Sequence, residues 1–208
     1  MRTLRRILSG ILLAVLTSGS ALAQTAQENA ADAERLIKAL GVHAGSVVGE
    51  IGAGGGELTI AIAREVGPAG RAFSNDINRK RLADIGTAVE KAELHNVTLI
   101  DGHERDTNLP PSCCDALFMR SVYHHFGDPA AMNASLFGSL KPGGRLAVID
   151  FAPDGDESPD PKGRAEEKHH GVTGPTVARE LQAAGFEVLS TESVRGHQFI
   201  VLARRPGQ

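Results

Sequence analysis

The chain has no tryptophan, a single tyrosine (Tyr123) and two cysteines, Cys113 and Cys114, which are neighbours. So few aromatics, with no basic stripe, argue against a nucleic-acid substrate, which calls for stacking platforms and clustered cations. Two adjacent cysteines exclude a long-range disulfide staple. Their Cα atoms lie about 3.8 Å apart across a trans peptide, below the usual disulfide range of roughly 4.4–6.8 Å, so the expectation is two thiols. A vicinal redox or soft-metal pair is the alternative. Long apolar runs are missing too: Ile7 to Leu16 is broken by Ser9 and Gly10, too short for a comfortable membrane span of about 20 residues.

That apolar run follows Arg2, Arg5 and Arg6 and precedes Ala21-Leu22-Ala23. A charged start, a short apolar core and an A-x-A exit make a signal-peptide pattern. Residues 1–23 are therefore expected to be a cleaved leader, with an uncleaved anchor as the alternative, and residues 24–208 one domain that is periplasmic or secreted. Losing the three arginines takes the formal charge from −3 to about −6. No polybasic patch suggests a stable membrane association after cleavage, and the sequence leaves the oligomeric state open.

Strand-like and helix-like stretches alternate through residues 24–208. Helices are expected over 28–40, 57–66, 79–94, 129–140 and 173–184. Strands are expected over 46–51, 71–76, 97–100, 115–119, 145–149, 186–192 and 197–203. Strands separated by helices imply right-handed parallel βαβ units. The last two strands are joined by Ser193 to Gly196, enough for a hairpin and too short for a crossover, so the final strand must run antiparallel. The fold class is α/β, a doubly wound, Rossmann-like seven-stranded sheet with one antiparallel strand near the C-terminal edge. The polar segment from Phe151 to Gly171 is the one long loop, and it calls for a functional reason.

After the first strand comes E-I-G-A-G-G-G-E, Glu50 to Glu57. In open parallel sheets ligands sit at the carboxyl ends of strands, and glycine there lets backbone N–H groups approach a ligand. A dinucleotide fingerprint needs G-x-G-x-x-G, and from Gly52 its third glycine falls on Glu57. Acids on both sides of the glycines disfavour a pyrophosphate beside the helix start. A cationic, amino-acid-like ligand suits Glu50 and Glu57 better.

Five blocks carry a resemblance, in order: V-V-G-E-I-G-A-G-G-G, S-N-D-I-N, L-I-D-G-H-E, S-V-Y-H-H-F-G-D-P and L-K-P-G-G-R-L-A-V-I-D-F. With these the chain resembles the class I S-adenosylmethionine-dependent methyltransferases of the small-molecule type. The resemblance implies S-adenosyl-L-methionine as cofactor and methyl transfer to a small-molecule acceptor. It implies that Gly52, Ala53, Gly54 and Gly56 line the methionine and ribose, and that Glu50 reaches the amino group. Asp76, with Ile77 beside it, would take both ribose hydroxyls. Where the family commonly has Gly-Asp for the adenine amino group, this chain has Gly102-His103, so His103, Glu104 or Asp101 would substitute. An exported, non-catalytic S-adenosylmethionine-binding protein is the alternative, and a nicotinamide dehydrogenase is disfavoured by Glu57.

Methyl transfer from a sulfonium asks mainly for alignment, exclusion of water and sometimes a base. The fourth strand leads into Arg120, Ser121, Val122, Tyr123, His124 and His125. His124 is the candidate base because a histidine titrates near neutral pH, with a structural role as the alternative. Tyr123 would orient substrate, or merely pack. Arg120 would reach the cofactor or an acidic substrate group, or pair with Asp150. His169 and His170, in the long loop taken as a mobile lid, would touch substrate. Adjacent histidines seldom aim at one ion, and no H-x-x-x-H spacing occurs, so no metal site is expected.

Overall fold

The computed structural model describes residues 25–207. The leader pattern therefore lies outside the described residues. A helix over residues 25–40, α1, precedes β1 (Val47–Ile51), α2 (Glu57–Val66), β2 (Arg71–Asp76), α3 (Arg79–Lys91), β3 (Val97–Asp101), β4 (Cys114–Arg120), α4 (Pro129–Ser139), β5 (Leu140–Phe151), α5 (Gly174–Ala183), β6 (Glu187–Arg195) and β7 (Gln198–Arg204). The sheet order is β3-β2-β1-β4-β5-β7-β6. Only β7 runs antiparallel to its neighbours, pairing with β5 and β6. The strand order reverses between β1 and β4, which places the ligand-binding crevice at their carboxyl ends.

The central strands are apolar on both sides because helices cover both faces of the sheet. Along β4 the alternation is direct. Ala116 and Phe118 pack with Leu36 of α1 and Leu58 and Ile62 of α2. Leu117 and Met119 pack on the other face with Leu136 of α4 and Val177 and Leu181 of α5. α3 is set beside α2 through Leu82, Ile85 and Val89. Helix starts follow side-chain chemistry: Asn78, Asp128 and Thr173 each accept a backbone N–H of the first turn of α3, α4 and α5.

Several local expectations shift. α3 ends at Lys91 and not at Leu94, where Glu93 turns left-handed (φ 55°). Lys141 to Gly144, expected as a loop, belongs to β5 as a bulge: the register jumps from Cys114 opposite Leu140 to Ala116 opposite Arg145. The last hairpin is tighter than expected, with Gly196 and His197 between β6 and β7. Cys113 and Cys114 are joined in a disulfide where two thiols were expected. The sulfurs meet although consecutive residues hold the Cα atoms 3.7 Å apart. The pair opens β4, at the end of the sheet away from the crevice. Among the described residues no helix is long and apolar enough to cross a membrane.

Two buried polar groups tie elements together. Asp32 of α1, fully buried, accepts from Arg35, Arg120 and Arg195 at 2.9–3.2 Å, which fastens α1 to the ends of β4 and β6. Glu50 of β1 accepts from the Thr59 hydroxyl of α2, and Thr59 lies 2.9 Å from the Ser74 hydroxyl of β2. Burial is the largest influence on Glu50 and outweighs Thr59 and Arg120, so its pKa is pushed up to about 8. A carboxyl with its pKa there keeps its proton at neutral pH. The sequence argument had assumed an ionised acid there, and burial overrides it.

This yields a pH signature. Between about pH 4.5 and 8 the unfolded carboxyl has lost its proton and the folded one keeps it. The folded state then binds more protons, so stability falls as pH rises through this window. Glu50→Gln is expected to flatten that part of the stability–pH curve, gaining on the order of 4 kcal/mol over wild type above pH 8. Denaturant melts of both proteins from pH 4 to 9 check this. Parallel curves would contradict the assignment.

Candidate functional site

A cleft of about 860 Å³ opens at the carboxyl ends of β1 and β2, lined by Ile51, Gly52, Asn75, Ile77, Arg81, His103, Glu104, His125, Phe126 and Lys162 among others. A smaller cavity of about 520 Å³ adjoins it at Gly127 and Asp128, walled by Pro129, Ala130 and Ala134. The larger cleft is the candidate site because Gly52, the first glycine of the turn, and Ile77, next to Asp76, form part of its wall.

The alternating glycines have a backbone reason. Gly52, Gly54 and Gly56 all lie at positive φ (70°, 58° and 81°), a region that residues with a Cβ enter at a cost. Space distinguishes them further. A Cβ on Gly52 would stand 2.5 Å from Val122 and one on Gly56 3.0 Å from Ile85, whereas one on Gly54 would meet nothing within 4 Å. Gly52 and Gly56 are therefore needed for packing, and Gly54 presents bare backbone to open space. Ala53, between them, is buried, and its N–H donates to the Asn75 carbonyl at 2.8 Å.

Asp76 holds this turn from the next strand. One carboxylate oxygen accepts the Gly54 N–H at 3.1 Å and the other accepts the Asn78 N–H at 2.8 Å. The α3 N-cap is Asn78, so Asp76 is not the cap. Two of the roughly four acceptor positions of a carboxylate are thus used by the protein. Beside it Ile77 is 62 % exposed, an apolar surface on the cleft wall. His103 and Glu104 are exposed on the same wall, within reach of a ligand lying over Ile77. Glu50 points instead into the buried Thr59–Ser74 chain.

Past β4, Ser121 is left-handed (φ 55°), an uncommon conformation for a serine. The backbone turns there into a short 3-10 helix, Tyr123–His125, and neither Tyr123 nor His124 reaches the cleft as expected. Tyr123 is fully buried; its hydroxyl donates to Glu180 and accepts from Asn133. It is a core residue with no surface for orienting substrate. Arg120 turns to Asn29 and Asp32 of α1 and contacts neither Asp150 nor the cleft.

His124 is also buried. Its Nδ1 lies 2.8 Å from Asp150 Oδ1, and its backbone N–H donates to the same carboxylate. Its Nε2 is buried with no hydrogen-bond partner. The histidine that lines the cleft is His125. Desolvation, then the neighbouring His124, holds the His125 imidazole below the ordinary histidine value, so it is neutral at pH 7 with a free lone pair. The two rings do not turn apart as expected: their centroids are 4.0 Å apart. His170 joins them from the long loop, 4.8 Å from His124. His169 faces away and contacts the Asp156 carbonyl.

The long loop is tethered. It forms short 3-10 turns at Pro161–Ala165 and Glu167–His169, and its buried Arg164 pairs with Glu180 at 2.7 Å, the same carboxylate that receives Tyr123. The sequence reading missed Asn75, Arg81 and Lys162 as cleft residues. Asn75 and Arg81 flank the recognised Asp76 in sequence, a usable signal; Lys162 comes from the loop and had none.

Comparisons with known proteins agree with this geometry. A family model described as a methyltransferase domain matches residues 49–148. The demethylmenaquinone methyltransferase of Listeria welshimeri is 30% identical over 114 residues, 55% of this chain and 48% of that protein. The ubiquinone/menaquinone biosynthesis C-methyltransferase of a Marinomonas species is 31% identical over 123 residues, 56% of this chain and 47% of that protein. The chain thus spans about half the length of the curated relatives it matches. A crystal structure of an S-adenosylmethionine-dependent methyltransferase from Aquifex aeolicus is 26% identical, covers 84% of this chain and 89% of that one, and superposes with a TM-score of 0.72. The [4+2]-cyclase SpnF shares the fold at 17% identity and a TM-score of 0.75, over 85% of this chain and 81% of its own. Sheet order, glycine turn and these matches together support a class I S-adenosylmethionine-dependent methyltransferase.

Proposed function

We propose that the chain transfers a methyl group from S-adenosylmethionine to a small organic acceptor in the cleft between the glycine turn and the histidine cluster. One observation carries the reading: a turn of three left-handed glycines whose middle member, Gly54, is bonded to Asp76 and has open space where a side chain would stand. The residues present fit the cofactor. Gly54 leaves room where a side chain would intrude, the free acceptor positions of Asp76 suit two vicinal hydroxyls, and exposed Ile77 offers an apolar face to adenine. His103 and Glu104 are the polar groups beside it. The sulfonium supplies an already activated methyl, so the protein's task is to align the acceptor and keep water out. The acceptor belongs at the His125 end, and a cleft of about 860 Å³ has the size of a small-molecule site. The fold alone does not decide the reaction.

Asp76→Ala is expected to weaken binding of S-adenosylhomocysteine by about 10- to 100-fold, the worth of a hydrogen bond to a charged group. Gly54→Ala should lose affinity as well, with a stability cost of only about 1–2 kcal/mol for its left-handed backbone. Calorimetry beside thermal melts separates the two effects. Unchanged affinity in a folded Asp76→Ala protein would remove the ribose assignment. Cofactor binding with no transfer to any acceptor in a methyl-release screen would favour the binding-protein alternative.

Export is proposed on the pattern of residues 1–23 alone. Intact-mass measurement of protein recovered from a host with a secretion pathway is expected to find Gln24 at the amino terminus. Retention of Met1 would reject it.

A further inference from the structure

From the histidine cluster we infer a binding site for a divalent transition ion of the Zn²⁺ class, held by His124, His125 and His170. Each offers one ring nitrogen, and the three ligand atoms lie within 4.8 Å of one another. They come from two places, the turn after β4 and the end of the long loop, so the cluster exists only in the fold. Among the described residues no other group of histidines, cysteines and carboxylates of this kind occurs.

Two independent features point to an ion. The first is His124 Nε2, a polar atom buried without a partner on a side chain only 2 % exposed. Such an atom costs stability unless something accepts or donates there. The second lies behind the same ring, where Nδ1 meets Asp150 Oδ1 at 2.8 Å and the His124 backbone N–H holds the other oxygen. A carboxylate on the far nitrogen fixes the tautomer that leaves Nε2 with its lone pair and orients the ring, the usual support of a metal-bound histidine. Phe151 packs 4.8 Å from His124 and 5.1 Å from His170 and walls the cluster from water on one side.

Three imidazoles suit Zn²⁺, Co²⁺, Ni²⁺ or Cu²⁺ and not Mg²⁺ or Ca²⁺, which prefer oxygen. Nitrogen distances near 2.0–2.1 Å to the metal require the three atoms to draw together from their present spacing, which exposed His125 and His170 are free to do. Three protein ligands leave a position for water or another donor atom, on the side where His125 lines the cleft. That this donor is the methyl acceptor rests on the transfer reading above. Occupancy by the ion does not.

The experiment uses the untagged full chain, stripped with a chelator and titrated with Zn²⁺ in the absence of S-adenosylmethionine, with Co²⁺ as an optical probe. One equivalent of Zn²⁺ retained through desalting is expected, together with visible Co²⁺ absorption. His125→Ala and His170→Ala, both at exposed positions, should each lower Zn²⁺ affinity at least 100-fold, with thermal melts confirming that the variants fold. Asp150→Asn should lower it about 10- to 100-fold, while His169→Ala should leave it unchanged. No stoichiometric uptake by wild type, equal loss in His169→Ala, or full affinity in His170→Ala would each overturn the site. A failed methyl-transfer assay would count only against the transfer reading, because uptake is measured without cofactor.

Discussion

The carboxylate of Asp76 accepts one N–H from the glycine turn after β1 and one from the start of α3, and the cleft is organised around those two bonds. They fix the spacing between two parallel strands and the loops that leave them. The turn can make its bond only because Gly52, Gly54 and Gly56 all adopt left-handed backbone. Packing admits no side chain at the outer two, while the middle one faces open space. A rigid floor with one bare peptide follows from that combination. A flexible loop would pay an ordering cost whenever a ligand bound.

Buried polar groups elsewhere hold the frame in which this floor sits. Asp32 gathers arginines from α1, β4 and β6, and the Glu50–Thr59–Ser74 chain links β1, α2 and β2. Arg164 fastens the long loop to Glu180, beneath Tyr123. That tether carries His170 to the sheet, where it meets His124 and His125. The loop is thus a fixed wall of the cleft along part of its length.

Much of the fold was legible because each strand–helix step left a periodic or capping signal, and the hairpin length alone set β7 antiparallel. The glycine turn was legible for the same kind of reason: a left-handed position demands a residue type. Side-chain direction was another matter. Tyr123 and His124 were expected at the cleft because they follow β4, but the chain turns at left-handed Ser121 into a 3-10 helix that leaves both buried and His125 exposed. Arg120 found Asp32, a partner 88 residues away, and no local spacing encodes that. The charge of Glu50 failed as an argument because ionisation depends on burial, which the residue name does not carry. The three-histidine cluster was discounted on sequence because adjacent histidines were expected to diverge; a 3-10 turn keeps their rings together.

The central claim is that the glycine turn over Asp76 is the cofactor seat. Its most direct test is a titration of ¹⁵N-labelled protein with S-adenosylhomocysteine, following the backbone amides of Gly52, Gly54, Gly56, Asp76 and Ile77. The account predicts saturable shifts concentrated at these amides, largest at Gly54, whose N–H shares the Asp76 carboxylate with the ligand. Shifts centred instead on Ala130, Ala134 and Ala183 around the smaller cavity, or none at saturating ligand, would contradict it.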